Sequence, residues 1–145
     1  MDIIEVVVRS SAAMLAGAAL GLNRDLHGKP TGVRTLGIVG VGSALAVMAV
    51  SDSHDVSAVS RVIQGILTGI GFLGAGVIIR NSGGQQIHGL TTAACTWLTA
   101  CIGVTCGAGE WRIVLVGVFL AFLVLVVGGP LEKALHSRLR QPDDD

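Results

Sequence analysis

The stretch VIQGILTGIGFLGAGVII, residues 62–79, determines what kind of protein this is. It holds Gly69, Gly71 and Gly74 in the spacing G-x-G-x-x-G, which in dinucleotide-binding folds brings backbone against a pyrophosphate. That use needs a strand before the glycines, a helix opened by them, and an acidic residue about 20 positions further on. Here both flanks belong to one apolar run, and the first acidic residue after Gly74 is Glu110. The run is instead long enough to cross a bilayer, which takes roughly 20 apolar residues. Lipid tails supply no hydrophobic drive between helices, so association rests on close van der Waals approach, and glycine allows that approach.

The rest of the chain agrees. Of its 145 residues 51% are hydrophobic, and the mean hydropathy is +0.72, too apolar for a soluble domain of this length. Four further runs, 3–22, 36–51, 90–106 and 111–127, approach membrane-spanning length. The expected fold is an all-α membrane protein of about five transmembrane helices, with residues 1–129 as the membrane domain. The second and fourth runs are short, so flanking side chains snorkel or the bilayer thins around them. After Gly128, Gly129 and Pro130, the segment LEKALHSRLR sets Leu131, Leu135 and Leu139 on one face, which predicts a short helix on the inner membrane surface. Residues 130–145 thus read as that amphipathic helix and a disordered acidic tail. The N-terminal MDIIEVVVRSSAAML lacks the basic start of a secretory signal and reads as a retained span.

Lysines and arginines set the orientation. Arg24, Lys29, Arg34, Arg80, Lys133, Arg138 and Arg140 fall on one side of a five-span arrangement; Arg9, Arg61 and Arg112 fall on the other. The expected topology has the N-terminus outside and the C-terminus in the cytoplasm. Ten basic residues balance ten acidic ones, and the five aromatics Phe72, Trp97, Trp111, Phe119 and Phe122 form no base-stacking platform, so no nucleic-acid partner is expected. No enzymatic role is expected either: His27, His54, His88 and His136 are dispersed, and neither G-x-S-x-G nor H-E-x-x-H occurs. Cys95, Cys101 and Cys106 lack metal-ligand spacing and read as small packing residues.

Gly17 with Gly21, Gly65 with Gly69, and Gly103 with Gly107 each make a G-x-x-x-G seam, and Gly71, Gly74 and Gly76 add to the third run. These nine are the expected packing positions, and such seams suggest a homodimer as well as packing within one chain. At helical spacing Arg61, Gln64, Thr68, Gly71 and Ala75 share one stripe, and Thr92, Thr96, Thr99, Gly103 and Cys106 share another. If the stripes face each other they form a polar path or ligand cleft; otherwise they are packing seams whose hydroxyls bond their own helix. Arg9 lies about 10 Å along the first span, with Glu5 one turn outward as an i, i+4 partner. Asp52, His54 and Asp55 are weak metal candidates in a connector. Spans two to four hold no Asp or Glu, so Mg2+ bound or moved there would meet hydroxyls and backbone carbonyls freed where a helix breaks.

Three blocks, GLNRDLHGKPTGVRT (21–35), SRVIQGILTGIGFLGAGVIIR (60–80) and HGLTTAACTWLTACIG (88–103), in this order and spacing resemble the membrane domain of the MgtC/SapB family. The resemblance implies a bacterial inner-membrane protein of about five spans, linked to magnesium homeostasis and growth at low magnesium, and a candidate magnesium transporter. A regulatory protein acting on another membrane complex is the alternative. Arg24, Lys29, Pro30, Gly32, Arg34 and Thr35 match the family's basic first loop, and Arg61, Gln64, Gly69, Gly71, Phe72, Gly74, Ala75 and Gly76 its central block. Gly89, Leu90, Thr91, Thr92, Ala93, Ala94 and Trp97 match the third block, and Arg9 an arginine frequent in the first span. Asn23 and Leu36 depart from a frequent glutamate and histidine. The resemblance supports Arg24, Lys29 and Arg34 as a cytoplasmic basic functional loop, while Arg9, the spacing-defined stripe Arg61, Gln64 and Thr68, and Thr92, Thr96 and Thr99 form the candidate ion path or functional polar stripe. Larger relatives append a cytoplasmic domain, whose function is not carried over.

Overall fold

A computed structural model describes residues 1–51, 56–80 and 89–139. Asp52, His54 and Asp55 and the acidic tail from residue 140 lie outside the described residues. Five helices follow one another: α1 (Ile3–Leu26), α2 (Val33–Ser51), α3 (Val56–Arg80), α4 (Leu90–Ala108) and α5 (Trp111–Leu139). All five are long and apolar enough to cross a membrane, and no strand occurs among the described residues.

The helices run further than their apolar cores. α1 continues from Leu22 through NRDL, and α3 starts six residues before Val62, because backbone hydrogen bonds extend a helix into polar sequence once its centre is held. α3 is continuous across all its glycines. The surface helix expected after Pro130 is not a separate element: α5 passes through Gly128, Gly129 and Pro130 without interruption. Proline removes one backbone donor and its ring crowds the residue before it, but Gly129 has no Cβ for the ring to meet.

Glycines end α1 and α4. At Gly28 (φ 61°) and Gly109 (φ 78°) the backbone turns left-handed. Gly28 N–H and Lys29 N–H close back onto Asp25 and Arg24 carbonyls, as Gly109 and Glu110 do onto Cys106 and Thr105. A Cβ at either glycine would be strained in that conformation.

α4 is the central element and touches the other four helices. Of its apolar window 56% is buried, against 6% for α3. α1, α2 and α4 form the core, with α3 against α2 and α4, and α5 against α4 and α1. The core side chains are small or aliphatic: Ala13, Leu20, Leu36, Ala44, Thr99, Ala100 and Cys106 are fully buried. Backbones touch across it. A Cβ built on Gly40 would stand 2.5 Å from the Ala13 carbonyl oxygen, and one on Gly107 would stand 2.6 Å from the Ala44 oxygen. Gly17 lies as close against the Leu36 carbonyl, and Gly103 against that of Gly40.

Candidate functional site

The two polar stripes do not face each other. Thr92, Thr96 and Thr99 are buried, and their side of α4 looks toward α1 and α2: Thr92 meets Arg24, while Thr99 and Gly103 meet Gly40. Their hydroxyls are already engaged. Thr96 Oγ1 donates to the Thr92 carbonyl at 2.9 Å and Thr99 Oγ1 to the Cys95 carbonyl at 2.8 Å. Thr96 and Thr99 therefore pack as β-branched fillers whose hydroxyls are satisfied within their own helix, while the Thr92 hydroxyl accepts from Arg24 of α1.

Arg61, Gln64 and Thr68 lie on exposed faces of α3. α3 meets α4 through other positions: a Cβ at Gly74 would stand 3.3 Å from Ala93 Cβ, and beside that contact Ile70, Gly71 and Ala75 oppose Ala94 and Trp97 across an open apolar groove of about 300 Å³. The seam expected at Gly65 and Gly69 is open among the described residues. A Cβ at Gly65, Gly69, Gly71 or Gly76 would meet nothing within 4 Å. The nine packing glycines thus divide: Gly17, Gly21, Gly103 and Gly107 bring helices together, Gly74 makes one lateral contact, and the other four lie open.

Nor do Arg24, Lys29 and Arg34 act as one exposed loop. Lys29 and Arg34 are exposed, but Arg24 belongs to the last turn of α1 and is only 4% exposed. Its Nη2 donates to Thr92 Oγ1. The neighbouring Asp25 organises the turn: its Oδ2 accepts from Val33 N–H at 2.9 Å, at the start of α2, and its carboxylate lies where a Cβ on Gly32 would be. Asp25→Ala is expected to lower stability by about 1 kcal/mol through loss of this cap, measured as a lower thermal unfolding midpoint in detergent. An unchanged midpoint would show that the turn holds without it.

Arg9 does what its position promised and more. It pairs with Glu5, and its Nη1 donates to the Gly107 carbonyl at 2.6 Å, so a cation sits at the negative end of the α4 dipole. Its guanidinium also lies 2.7 Å from where a Cβ of Gly109 would be. The turn that ends α4 is therefore held by a residue of α1. Met1, Glu5, Arg9, Val47 and Ser51 line an open cavity of about 410 Å³ beside it.

Two features escaped the sequence reading. Gly40 and Ser43 supply the α2 side of the core crossing, and the small residues Gly37, Gly40, Ser43, Ala44 at helical spacing are the signal that could have found them. The inward turn of Arg24 has no such signal. No group of three or more His, Cys, Asp or Glu suited to a metal ion occurs among the described residues.

The fold and these contacts can be set beside known proteins. The MgtC family profile matches residues 11–134. Protein SrpB of Synechococcus elongatus is 46% identical over 125 residues, which cover 78% of this chain and 69% of SrpB. "Putative magnesium transporter YhiD" of Escherichia coli K12 is 38% identical over 143 residues, covering 92% of this chain and 65% of YhiD. Protein MgtC of Salmonella typhimurium is 39% identical over 130 residues, covering 90% of this chain and 53% of MgtC. The chain thus spans about half to two thirds of the length of these relatives. No solved structure matches. The profile match and three relatives at this level of identity lead to one conclusion: the chain belongs to the MgtC family.

Proposed function

We propose that this chain is a multi-pass protein of the bacterial inner membrane, with its N-terminus outside and its C-terminus in the cytoplasm. It acts in magnesium homeostasis and adaptation to low magnesium as a homodimer joined along α3, and is neither an enzyme nor a nucleic-acid binder. The observation that carries this reading is the open face of α3, where Gly65, Gly69 and Gly76 have nothing against them and Gln64 and Thr68 are exposed. In lipid, such a face gains from a second helix: glycines let two backbones approach, and side-chain amides and hydroxyls find partners across the seam. The magnesium context is supported by kinship with YhiD, which is named for it.

Within that context the geometry favours a regulator that binds another membrane complex over a transporter. The hydroxyls that an ion path would need are engaged, those of Thr96 and Thr99 with their own helix and that of Thr92 with Arg24. Direct transport would have to run along Arg61, Gln64 and Thr68 between two copies, where no carboxylate of spans two to four is at hand for a dication.

Two measurements test this. Purified protein in liposomes, beside an Arg61→Ala, Gln64→Ala pair, is expected to admit no more magnesium than empty liposomes; entry above that level in the wild type alone would establish transport instead. Crosslinking through Gly69→Cys in native membranes, with the three native cysteines replaced by alanine, is expected to yield a two-copy product, reduced roughly tenfold by Gly65→Leu. A product that contains only one copy and no foreign subunit would remove α3 as the association face.

A further inference from the structure

Among the described residues Arg24 is a buried charge with no counter-charge. The Arg24 guanidinium is almost entirely enclosed, its Nε is buried with no hydrogen-bond partner, and the hydroxyl of Thr92 is a neutral partner for its Nη2. Among the described residues no carboxylate pairs with it: Asp25 is turned to the Val33 amide, and the connector 81–88, NSGGQQIH, carries no acid. A buried cation left in this state is costly, because the desolvation of the guanidinium is not repaid by an opposite charge.

The helix it reaches makes the electrostatics worse. Thr92 lies in the first turn of α4, whose N-cap is Gly89 at φ 94° with no side-chain cap and no acidic residue in that turn. The first helical bond that the start of α4 receives is Ala93 N–H to the Gly89 carbonyl, 2.9 Å, so the amides of Leu90, Thr91 and Thr92 precede the ladder and have no helical acceptor. The N-terminus of a 19-residue helix carries roughly half a positive charge. A guanidinium is therefore brought to the positive end of a dipole, and both ask for the same thing, an anion. Leu90 and Thr91 are exposed, so the first-turn amides are within reach of the surroundings, and the exposed Lys29 and Arg34 at this end of the bundle add attraction.

We propose that the N-terminus of α4 and Arg24 together form a phosphate-binding site. A tetrahedral oxyanion accepts from several first-turn amides at once and places its charge beside the arginine. The ends of membrane-spanning helices lie at the depth of lipid headgroups, so the phosphate group belongs to a phospholipid or is free inorganic phosphate. This site is independent of the association face on α3.

The test is the thermal unfolding midpoint of the delipidated protein in a neutral detergent. Two probes are compared with sodium chloride of equal ionic strength: inorganic phosphate, and short-chain phosphatidylglycerol against an uncharged glycolipid. Wild type is expected to gain about 5 °C at saturation. The gain should vanish in Arg24→Gln, shrink in Thr92→Val, and persist in Arg112→Gln at the other end of the bundle. Arg24→Gln without probe should be at least as stable as wild type, because it removes an uncompensated buried charge. A response to inorganic phosphate identifies free phosphate, and a response confined to the phospholipid identifies a headgroup. No rise with either probe, or a rise that survives both Arg24→Gln and Thr92→Val, would overturn the site. If Arg24→Gln does not fold, the wild-type and Thr92→Val arms still give the answer.

Discussion

Leucine at Gly107 is expected to abolish recovery of folded protein, while leucine at Gly69 leaves the single chain folded. At Gly107 the first added carbon would lie 2.6 Å from the Ala44 carbonyl oxygen, 3.0 Å from Ala44 Cα and 3.1 Å from Val47 Cβ. Two of those three atoms are backbone, and no rotamer change moves them aside. Forcing extra atoms into a packed interior costs about 1–3 kcal/mol where side chains can adjust, and more is expected where a whole helix must withdraw. At Gly103 the same substitution meets Ser43 Cβ at 2.8 Å and should behave alike. At Gly69 an added Cβ meets none of the described residues within 4 Å, so the first atom of the new side chain displaces nothing. Size-exclusion profiles and circular dichroism of the detergent-solubilised variants make the comparison. Equal yields of folded Gly107→Leu and Gly69→Leu would contradict the core crossing.

The second large effect belongs to Arg9. Arg9→Met keeps much of the stem but removes the bond to the Gly107 carbonyl and leaves Glu5 without its partner. Hydrogen bonds to charged groups contribute about 1.5–3 kcal/mol, and the lost helix-end interaction adds up to about 1 kcal/mol. A fall in stability of about 2–3 kcal/mol is expected from reversible denaturation in mixed micelles. Arg9→Lys should recover part of it, since an ammonium still reaches a carbonyl but lacks the fork that serves Gly107 and Glu5 together. Glu5→Gln with Arg9 intact should cost far less. A loss in Glu5→Gln as large as in Arg9→Met would mean that the ion pair, not the cap on α4, is what matters.

These two sites show how much was legible before the coordinates. Hydropathy located all five helices because in lipid every backbone amide must be satisfied within its own segment, and a run of apolar residues has few other outcomes. Their ends were less legible, since helices propagate into VSAVSR before α3 and past Pro130 in α5 by hydrogen bonding that hydropathy does not register. Backbones approach closely at Gly17, Gly21, Gly103 and Gly107, whereas the same spacing at Gly65 and Gly69 is open among the described residues. Nothing in a sequence distinguishes a seam filled by the same chain from one left for another. The threonine stripe follows the packing reading: Thr92, Thr96 and Thr99 share a face as their spacing requires, Thr96 and Thr99 bond their own helix, and which neighbour that face meets depends on α4 being central. Arg9 was legible through its i, i+4 acid, whereas its long reach to Gly107 was not. Arg24 was grouped with Lys29 and Arg34 by proximity in sequence, and the last turn of α1 rotates it to the opposite, enclosed side.

The continuity of α5 has a geometric consequence. At 1.5 Å per residue its 29 residues make a rod about 44 Å long, and the hydrocarbon layer measures about 30 Å. Lying wholly within that layer would need a tilt beyond the range usual for membrane helices, about 0–40°, so one end stands clear of it. The helix therefore carries its last turns out of the hydrocarbon layer without a break in the backbone, and Gly128, Gly129 and Pro130 lie where any bend in that rod would fall.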